Sequence, residues 1–389
     1  MVKVAGESGE SGESGELDMA RASFPGLEQW AYLDFGGVSL LPMQAVKATQ
    51  RIMENTAHMG ILASGEGAAE VERVRALAAS FVGATAGEIC FVRHTTEGLG
   101  WVANGLGLGE GDRVIVSGNE FPSSFFPWLT LADLGTRVDV VPAEDLRWPI
   151  ERFAAALADG PPAVVLAVSW VQFSTGWRTD LEELGRLCRE YGTLLCVDMI
   201  QGCGVLPLDL QALPVDFAVA DGHKWLCGPE GAGIMYIASS QIPRLRPLEP
   251  GWNSVSHRME WDNLAWVPDA SARRFEGGSQ NTIGIAALGA SLDLLTAVGI
   301  EKIWQRVESL TDFAAARLLE KDMRIVSDRS AAQKSGILTF AHPSRSPQDI
   351  VHAAREAGVV VSGPRGGGVR LSPHAWNQEE DIERLLLCL

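Results

Sequence analysis

Residues 216–236, DFAVADGHKWLCGPEGAGIMY, place a single lysine, Lys224, between an apolar run and a run of glycines. Residues 217–220 read as a short buried strand, and Gly231 and Gly233 lead into a second strand at 234–237. A lysine on a tight connection between core strands is badly placed as a solvated charge. Its natural use is as an amine nucleophile that forms an imine with a carbonyl. Upstream, 194–198 (LLCVD) is an apolar run that ends in the carboxylate of Asp198. If Asp198 faces the ring nitrogen of a pyridine while Lys224 holds an aldehyde on the same ring, the two meet the needs of pyridoxal phosphate. A turn lysine and a strand ending in aspartate are each common in α/β proteins. The reading therefore requires a phosphate cup, a ring-stacking group and a substrate-carboxylate anchor elsewhere in the chain.

The pattern around this stretch is regular. Residues 89–92, 113–116, 137–140, 163–168 and 194–197 are apolar strand candidates, with helical spacing between most of them, as at 181–191. Such alternation predicts an α/β fold with a mostly parallel sheet covered by helices on both faces. Ligands of such sheets bind beyond the carboxyl ends of the strands, so the residues that follow each strand are the candidates.

After 89–92 comes HTTEGLGWVANGL, where Thr95 or Thr96 starts a helix and offers hydroxyls and free amides, either to a phosphate or as a simple cap. After 113–116 comes SGNEFPSSFFPW, whose Phe121 is either interior packing or the flat face that a planar cofactor lies against. After 163–168 comes SWVQFSTG, where Gln172 bonds a cofactor phenol oxygen or satisfies a turn. Gln201 follows Asp198 by three residues, within reach of the phenolate or the imine region. Arg370 stands in the last predicted strand, 369–371, as a paired surface charge or a bidentate carboxylate clamp.

Further out, 31–35 is strand-like, 44–54 and 70–81 show helical spacing, and 245–284 reads as proline- and tryptophan-rich loops that shape a cleft or a subunit contact. Helices are expected at 285–295 and 303–319, then strands at 324–326, 337–340, 359–361 and 369–371 around a helix at 347–357. The expected organisation is an acidic disordered tail at 1–20 and an N-terminal segment at 21–40 packing on the small domain. A large cofactor domain at 41–275 follows, then linking helices and a small α/β domain at 276–389.

A net charge of -17 with no Lys/Arg cluster disfavours a nucleic-acid partner, and no apolar run reaches the roughly twenty residues of a membrane span. The six cysteines form no Cys-x-x-Cys pair, which predicts free thiols in a reducing cytoplasm and neither a disulfide framework nor a metal site.

Together the stretches YLDFGG, HTTEG, NEFPSSFFPW, VSWVQFSTG, VDMIQGCG, DGHKW with GPEGAG, RRFEGGSQNTIG and VRLSPHAWN resemble the class V group of pyridoxal-phosphate-dependent aminotransferases, from about Tyr32 to the C-terminus. Its relatives include cysteine desulfurases, kynureninases and isopenicillin N epimerase-like enzymes. The resemblance implies fold type I, with a seven-stranded sheet in the large domain and a homodimer with a shared active site. It makes Lys224 the Schiff-base lysine, Asp198 the partner of the pyridine nitrogen and Gln201 the phenol-oxygen contact. Thr95, Thr96 and His223 become phosphate and ring contacts, Phe121 the stacking ring, and Ser279 the residue that reaches the partner's phosphate. Arg370 becomes the holder of the substrate α-carboxylate, and Trp170 suggests a hydrophobic or narrowed substrate side.

Two departures matter. Desulfurases present a reactive cysteine shortly before that arginine, whereas 360–370 reads VVSGPRGGGVR, so persulfide transfer is not expected. Asp221 stands where desulfurases keep a hydroxyl, and a carboxylate is unfavourable beside a phosphate unless it turns away or pairs with a cation. The leading expectation is an aminotransferase in which an amino acid displaces Lys224 and the freed amine takes the α-proton. The alternative is a C–S or other β-eliminating lyase, ahead of a racemase or a non-catalytic relative.

Overall fold

The computed structural model describes residues 17–363 and 368–389. Among the described residues twelve strands are formed. β1 (Ala31–Tyr32) is followed by β2 (Ile89–Val92), β3 (Arg113–Ser117), β4 (Arg137–Val141), β5 (Val165–Ser169), β6 (Leu194–Asp198), β7 (Phe217–Asp221) and β8 (Gly233–Ile237). The last four are β9 (Arg324–Ile325), β10 (Leu338–Ala341), β11 (Val359–Val360) and β12 (Val369–Leu371). β2 to β8 form one seven-stranded sheet in the order β2-β8-β7-β6-β5-β3-β4. Strands β4, β3, β5, β6 and β7 run parallel to their neighbours, and β8 runs against both β7 and β2.

The inner strands read as continuous apolar runs because both of their faces are covered. Along β6 and β7 the side chains alternate between two cores. Leu195, Val197, Ala218 and Ala220 lie in one, and Leu194, Cys196, Phe217 and Val219 in the other. β4 forms an edge of the sheet and is blunted by charge: Asp139 takes Arg137 at 2.8 Å and Arg113 at 2.6 Å.

The C-terminal region forms a second, antiparallel sheet in the order β12-β10-β9. β1, from the N-terminal segment, pairs in parallel with β11, and Asp34 bridges to Ser372. The N-terminal segment thereby reaches the strand that carries Arg370.

Several boundaries differ from the sequence expectation for physical reasons. Of the tail expected at 1–20, residues 1–16 lie outside the described residues, but 17–21 are helical and Ala20 is buried. Just beyond, Phe24 stacks on Trp376 at 5.4 Å, and Arg21 donates to the Trp376 carbonyl at 2.6 Å. The helix expected from residue 70 begins at Ser64. Gly65 and Gly67 hide its start because they lower helix propensity, and a side chain at Gly67 would meet Thr282 at 3.3 Å. The helix expected at 44–54 runs over Met43–Met59. Among the described residues no single helix is long and apolar enough to cross a membrane.

Trp170 is packed in the core, not turned to a substrate. Its ring covers Gly202, where an added Cβ would lie 2.3 Å from Trp170 Cε3. Gly202→Ala is accordingly expected to destabilise the protein by about 1–3 kcal/mol through overpacking. Thermal unfolding of the two proteins side by side measures this, and an unchanged midpoint would show that Trp170 can shift freely.

Candidate active site

The carboxyl ends of β5, β6 and β7 lie side by side in the sheet, with Ser169 opposite Asp198 and Asp198 opposite Val219. Past these ends is a cavity of about 330 Å³ whose wall includes Thr95, Thr96, Phe121, Asp198, Gln201, His223, Lys224 and Arg370. Parallel strands deliver Thr95, Phe121, Asp198 and Lys224 to the same edge, and the small sheet brings Arg370, 275 residues from Thr95, against it.

Lys224 lies three residues after β7 and is half-buried at the cavity wall. Burial lowers its amine to about 8; Asp198 opposes the shift, Arg370 adds to it, and Asp34 and Asp221 oppose it. Its Nζ lies 5.5 Å from the centroid of the Phe121 ring. Asp198 is buried, and burial raises its carboxyl, against the pull of the Ser124 hydroxyl, the Ile200 amide and Lys224. The Ser124 hydroxyl donates to Asp198 Oδ2, and the Ile200 amide donates to Oδ1 at 3.0 Å. Both carboxylate oxygens are therefore fixed and the plane of the group is set.

The helix Thr95–Gly105 starts at the cavity wall. The Glu97 amide is capped by His94 Nδ1 at 3.1 Å, and the amides of Thr95 and Thr96, which have no intrahelical acceptors, make this end a natural anion cradle. Thr95 is buried and its hydroxyl accepts from the Asp221 amide at 3.2 Å, whereas Thr96 is exposed to the cavity. The Asp221 carboxylate accepts from the Gly222 amide at 2.7 Å and lies 2.9 Å from His223 Nδ1. The alignment of that His–Asp contact does not make a hydrogen bond, so Nδ1 is a buried polar atom without one. Asp221 is thus turned onto its own loop, next to a group that can carry positive charge.

Arg370 is held on three sides. Nε donates to Ser362 Oγ at 3.1 Å, Nη1 to the Phe173 carbonyl at 2.8 Å and Nη2 to Asp34 Oδ1 at 2.8 Å. A guanidinium has five N–H groups, so one remains on each terminal nitrogen, which suits a carboxylate bound at two points. Asp34 also accepts from the Ser362 and Ser372 hydroxyls. Arg370→Gln is expected to weaken amino-acid binding by about 2–5 kcal/mol while the cofactor is retained. The check is KM alongside cofactor content; an unchanged KM would remove Arg370 from carboxylate binding.

Gln201 is anchored by Nε2 to the Gly36 carbonyl at 2.9 Å and by Oε1 to Trp225 Nε1 at 3.0 Å, and it still lines the cavity. Gln172 does not line it. Its Oε1 accepts from the backbone and hydroxyl of both Ser174 and Thr175, and its Nε2 donates to the Asn119 carbonyl at 2.8 Å. Of the two roles open to Gln172, the turn role is the one observed, because its oxygen is taken by Ser174 and Thr175 and the side chain lies off the cavity. Ser279 lies elsewhere, on a surface groove shared with Ile61, Trp252, Met259, Trp261 and Ile283.

Sequence reasoning missed Ser124, Asp34, Ser169 and Glu120. Ser124 stands one helical turn beyond Phe121, so their spacing was a signal. Ser169 lines the cavity, and Glu120 accepts from its amide at 2.9 Å and its hydroxyl at 2.6 Å. Burial raises the Glu120 carboxyl, against the hydrogen bonds from Ser117 and Ser169.

The model of the aminotransferase class-V family matches residues 31–385. The chain belongs to the class-V aminotransferase family. It is 30% identical over 385 residues to a probable cysteine desulfurase of Methanothermobacter thermautotrophicus, covering 94% of this chain and 95% of the relative. It is likewise 30% identical over 361 residues to a cysteine desulfurase of Salmonella typhimurium, covering 89% and 87%. The solved complex of a cystine C–S lyase with its reaction product cysteine persulfide superposes with a TM-score of 0.88 at 25% identity, covering 94% and 98%. A variant of that lyase with glycine covalently linked to its pyridoxal phosphate superposes with a TM-score of 0.87.

As a class-V enzyme this protein is pyridoxal-phosphate-dependent and adopts fold type I. The cavity fits that cofactor. It offers an amine with a lowered pKa, a fixed carboxylate, a helix start beside a buried imidazole nitrogen without a hydrogen bond, and an aromatic ring near the amine. Bound there, pyridoxal phosphate supplies an electron sink for the carbanion formed at the α-carbon of an amino acid.

Proposed function

We propose that the protein is a β-eliminating C–S lyase that acts on an S-substituted cysteine. The observation that carries this reading is a cavity equipped for an amino acid but without a thiol. Cys90, Cys188, Cys196, Cys203 and Cys227 are buried and Cys388 is partly buried, and none lines the cavity. Burial pushes the Cys203 and Cys227 thiols up to about 12, which makes them poor nucleophiles. The stretch before Arg370 contains no cysteine either. Sulfur cleaved from a substrate therefore leaves as a small molecule and is not carried on the enzyme. The names of the relatives, desulfurases and a cystine lyase, favour this alternative over the aminotransferase expected first.

In this reading Arg370 holds the α-carboxylate and Asp198 holds the ring nitrogen protonated. The Thr95–Thr96 helix start and His223 receive the phosphate, Gln201 turns its remaining N–H to the phenol oxygen, and Phe121 lies against the ring. Lys224, once displaced by the substrate amine, removes the α-proton. Its lowered pKa leaves a useful fraction uncharged near neutrality.

The working unit is a homodimer. Ser279 shares its groove with exposed Ile61, Trp261 and Met259, apolar side chains of the kind that a subunit contact covers. Across such a contact Ser279 would reach the partner's phosphate. A monomeric holoenzyme in sedimentation would remove this part.

The purified holoenzyme should release pyruvate, ammonia and a thiol in equal amounts from an S-substituted cysteine. A keto acid that keeps the substrate side chain, with no ammonia, would establish transamination instead.

A further inference from the structure

A second cavity of about 740 Å³ adjoins the first, and Phe121, Phe173 and Arg370 line both. With the α-carboxylate at Arg370 and the α-amine near Lys224, a substrate side chain would pass from the inner cavity to the outer one alongside Phe121 and Phe173, which line both. These rings meet edge to face at 5.4 Å. The outer wall adds Pro122, Leu146 and Trp148.

Among the described residues most of the polar side chains on this wall are already engaged, the exceptions being the exposed Asn119 amide and the two N–H groups left on Arg370. Trp148 Nε1 donates to the Gly118 carbonyl at 3.1 Å, and Glu120 accepts from Ser117 and Ser169. Ser174 donates to Gln172, and Ser362 bonds Asp34 and Arg370. Apart from Asn119 and Arg370, what this wall presents to a ligand is mainly apolar surface. The groove is also preformed, since Gln172 ties the Phe173 turn to the Asn119 carbonyl.

Leu146 adds an independent observation. Glu144 and Arg147 exchange both backbone hydrogen bonds across a two-residue turn, and Asp145 and Leu146 both have positive φ, 48° and 62°. Glycine or asparagine is the favoured residue at such a turn. A branched apolar side chain is nevertheless held there, at the rim of the groove.

We propose that this groove is the subsite for the substituent on the substrate sulfur and that it selects bulky apolar or aromatic groups. The inference rests on the lyase reading for the bond that breaks, but not for the binding preference. The overall reaction would be R–S–CH2–CH(NH3+)–COO− plus water giving RSH, pyruvate and ammonium. The α-proton passes to Lys224, the Cβ–S pair leaves on sulfur, and sulfur gains a proton. The remaining three-carbon enamine is hydrolysed, with no net oxidation.

The test is binding and turnover of S-benzyl-L-cysteine, S-methyl-L-cysteine and L-cystine by the holoenzyme, with binding read from the cofactor absorbance. S-benzyl-L-cysteine is expected to bind on the order of 10- to 100-fold more tightly than the S-methyl compound. Leu146→Asp, which suits the positive φ, and Phe173→Ala should each pull that ratio towards one. Equal or tighter binding of S-methylcysteine or cystine would overturn the subsite, as would a ratio unchanged in both variants. Preferential binding of the benzyl compound without release of pyruvate would overturn the lyase reading and leave the subsite standing. Pyruvate from all three without preference would do the reverse.

Discussion

Replacing Lys224 by alanine is expected to abolish imine formation and to lower turnover by at least ~10⁴-fold, the upper range for loss of a positioned general base. Borohydride treatment of the wild-type holoenzyme should fix the cofactor on the peptide that contains Lys224, and the variant should give no labelled peptide. Stability is expected to move the other way. A lysine with a folded pKa of about 8 against 10.5 in the open chain costs the folded state about 3 kcal/mol wherever both states are protonated. The penalty is full below about pH 8 and disappears above the unfolded value, so stability of the apoprotein rises with pH across that window. Lys224→Ala should flatten this dependence. By the same titration, cofactor uptake by the apoprotein should accelerate as pH rises through about 8, where the amine becomes nucleophilic. An alanine variant that keeps both the label and the turnover would eliminate Lys224 as the reactive amine.

Asp198→Asn is expected to lower kcat by roughly 100- to 1000-fold, the scale seen when one preorganised electrostatic partner is removed. The shape of the site is largely kept, since the asparagine oxygen can still accept from the Ile200 amide and its NH2 can donate to the Ser124 hydroxyl, which rotates to accept. What is lost is the negative charge that keeps a ring nitrogen protonated. Cofactor should still be captured through Lys224, so a holoprotein that forms but turns over slowly is the predicted signature. Wild-type turnover in this variant would show that the ring nitrogen has another partner. A variant unable to bind cofactor would give Asp198 an anchoring role instead. Ser124→Ala provides a graded companion, because it removes one of the two donors that hold the carboxylate and leaves its charge.

The strands of the large sheet were readable because burial on both faces forces near-continuous apolar runs. Predicted limits at 113–116 and 194–197 fall one residue short of Arg113–Ser117 and Leu194–Asp198. Order and direction were less readable. Nothing local to 233–237 says that β8 runs against β7, since hydrogen bonding across strands leaves no mark on either strand alone. Trp170 shows a signal that was present and unused. Ser169 lines the cavity, and its neighbour Trp170 instead packs on Gly202.

Lys224, Asp198, Thr95, Thr96 and Arg370 were legible because each follows or sits on a strand and carries a group whose chemistry is specific. Gln172 was ambiguous, since an amide serves a turn and a ligand equally well, and only the positions of Ser174 and Thr175 decide. Asp34 could not be assigned at all. Its role is defined by Arg370, 336 residues away.

The sequence by itself determined that an α/β sheet is formed, which segments enter it, and that a lysine, an aspartate and an arginine suited to pyridoxal-phosphate chemistry lie at strand ends. Periodicity and residue type carry that information, because burial acts on each segment separately. The tertiary structure decided which loops meet. It set the clamp of Asp34, Ser362 and Phe173 on Arg370, the fixing of Asp198 by Ser124, and the apolar groove beyond Phe121. Those contacts join segments far apart in the chain, and they exist only once the strand order brings loops of the large sheet to one edge and the small sheet and N-terminal segment pack against it.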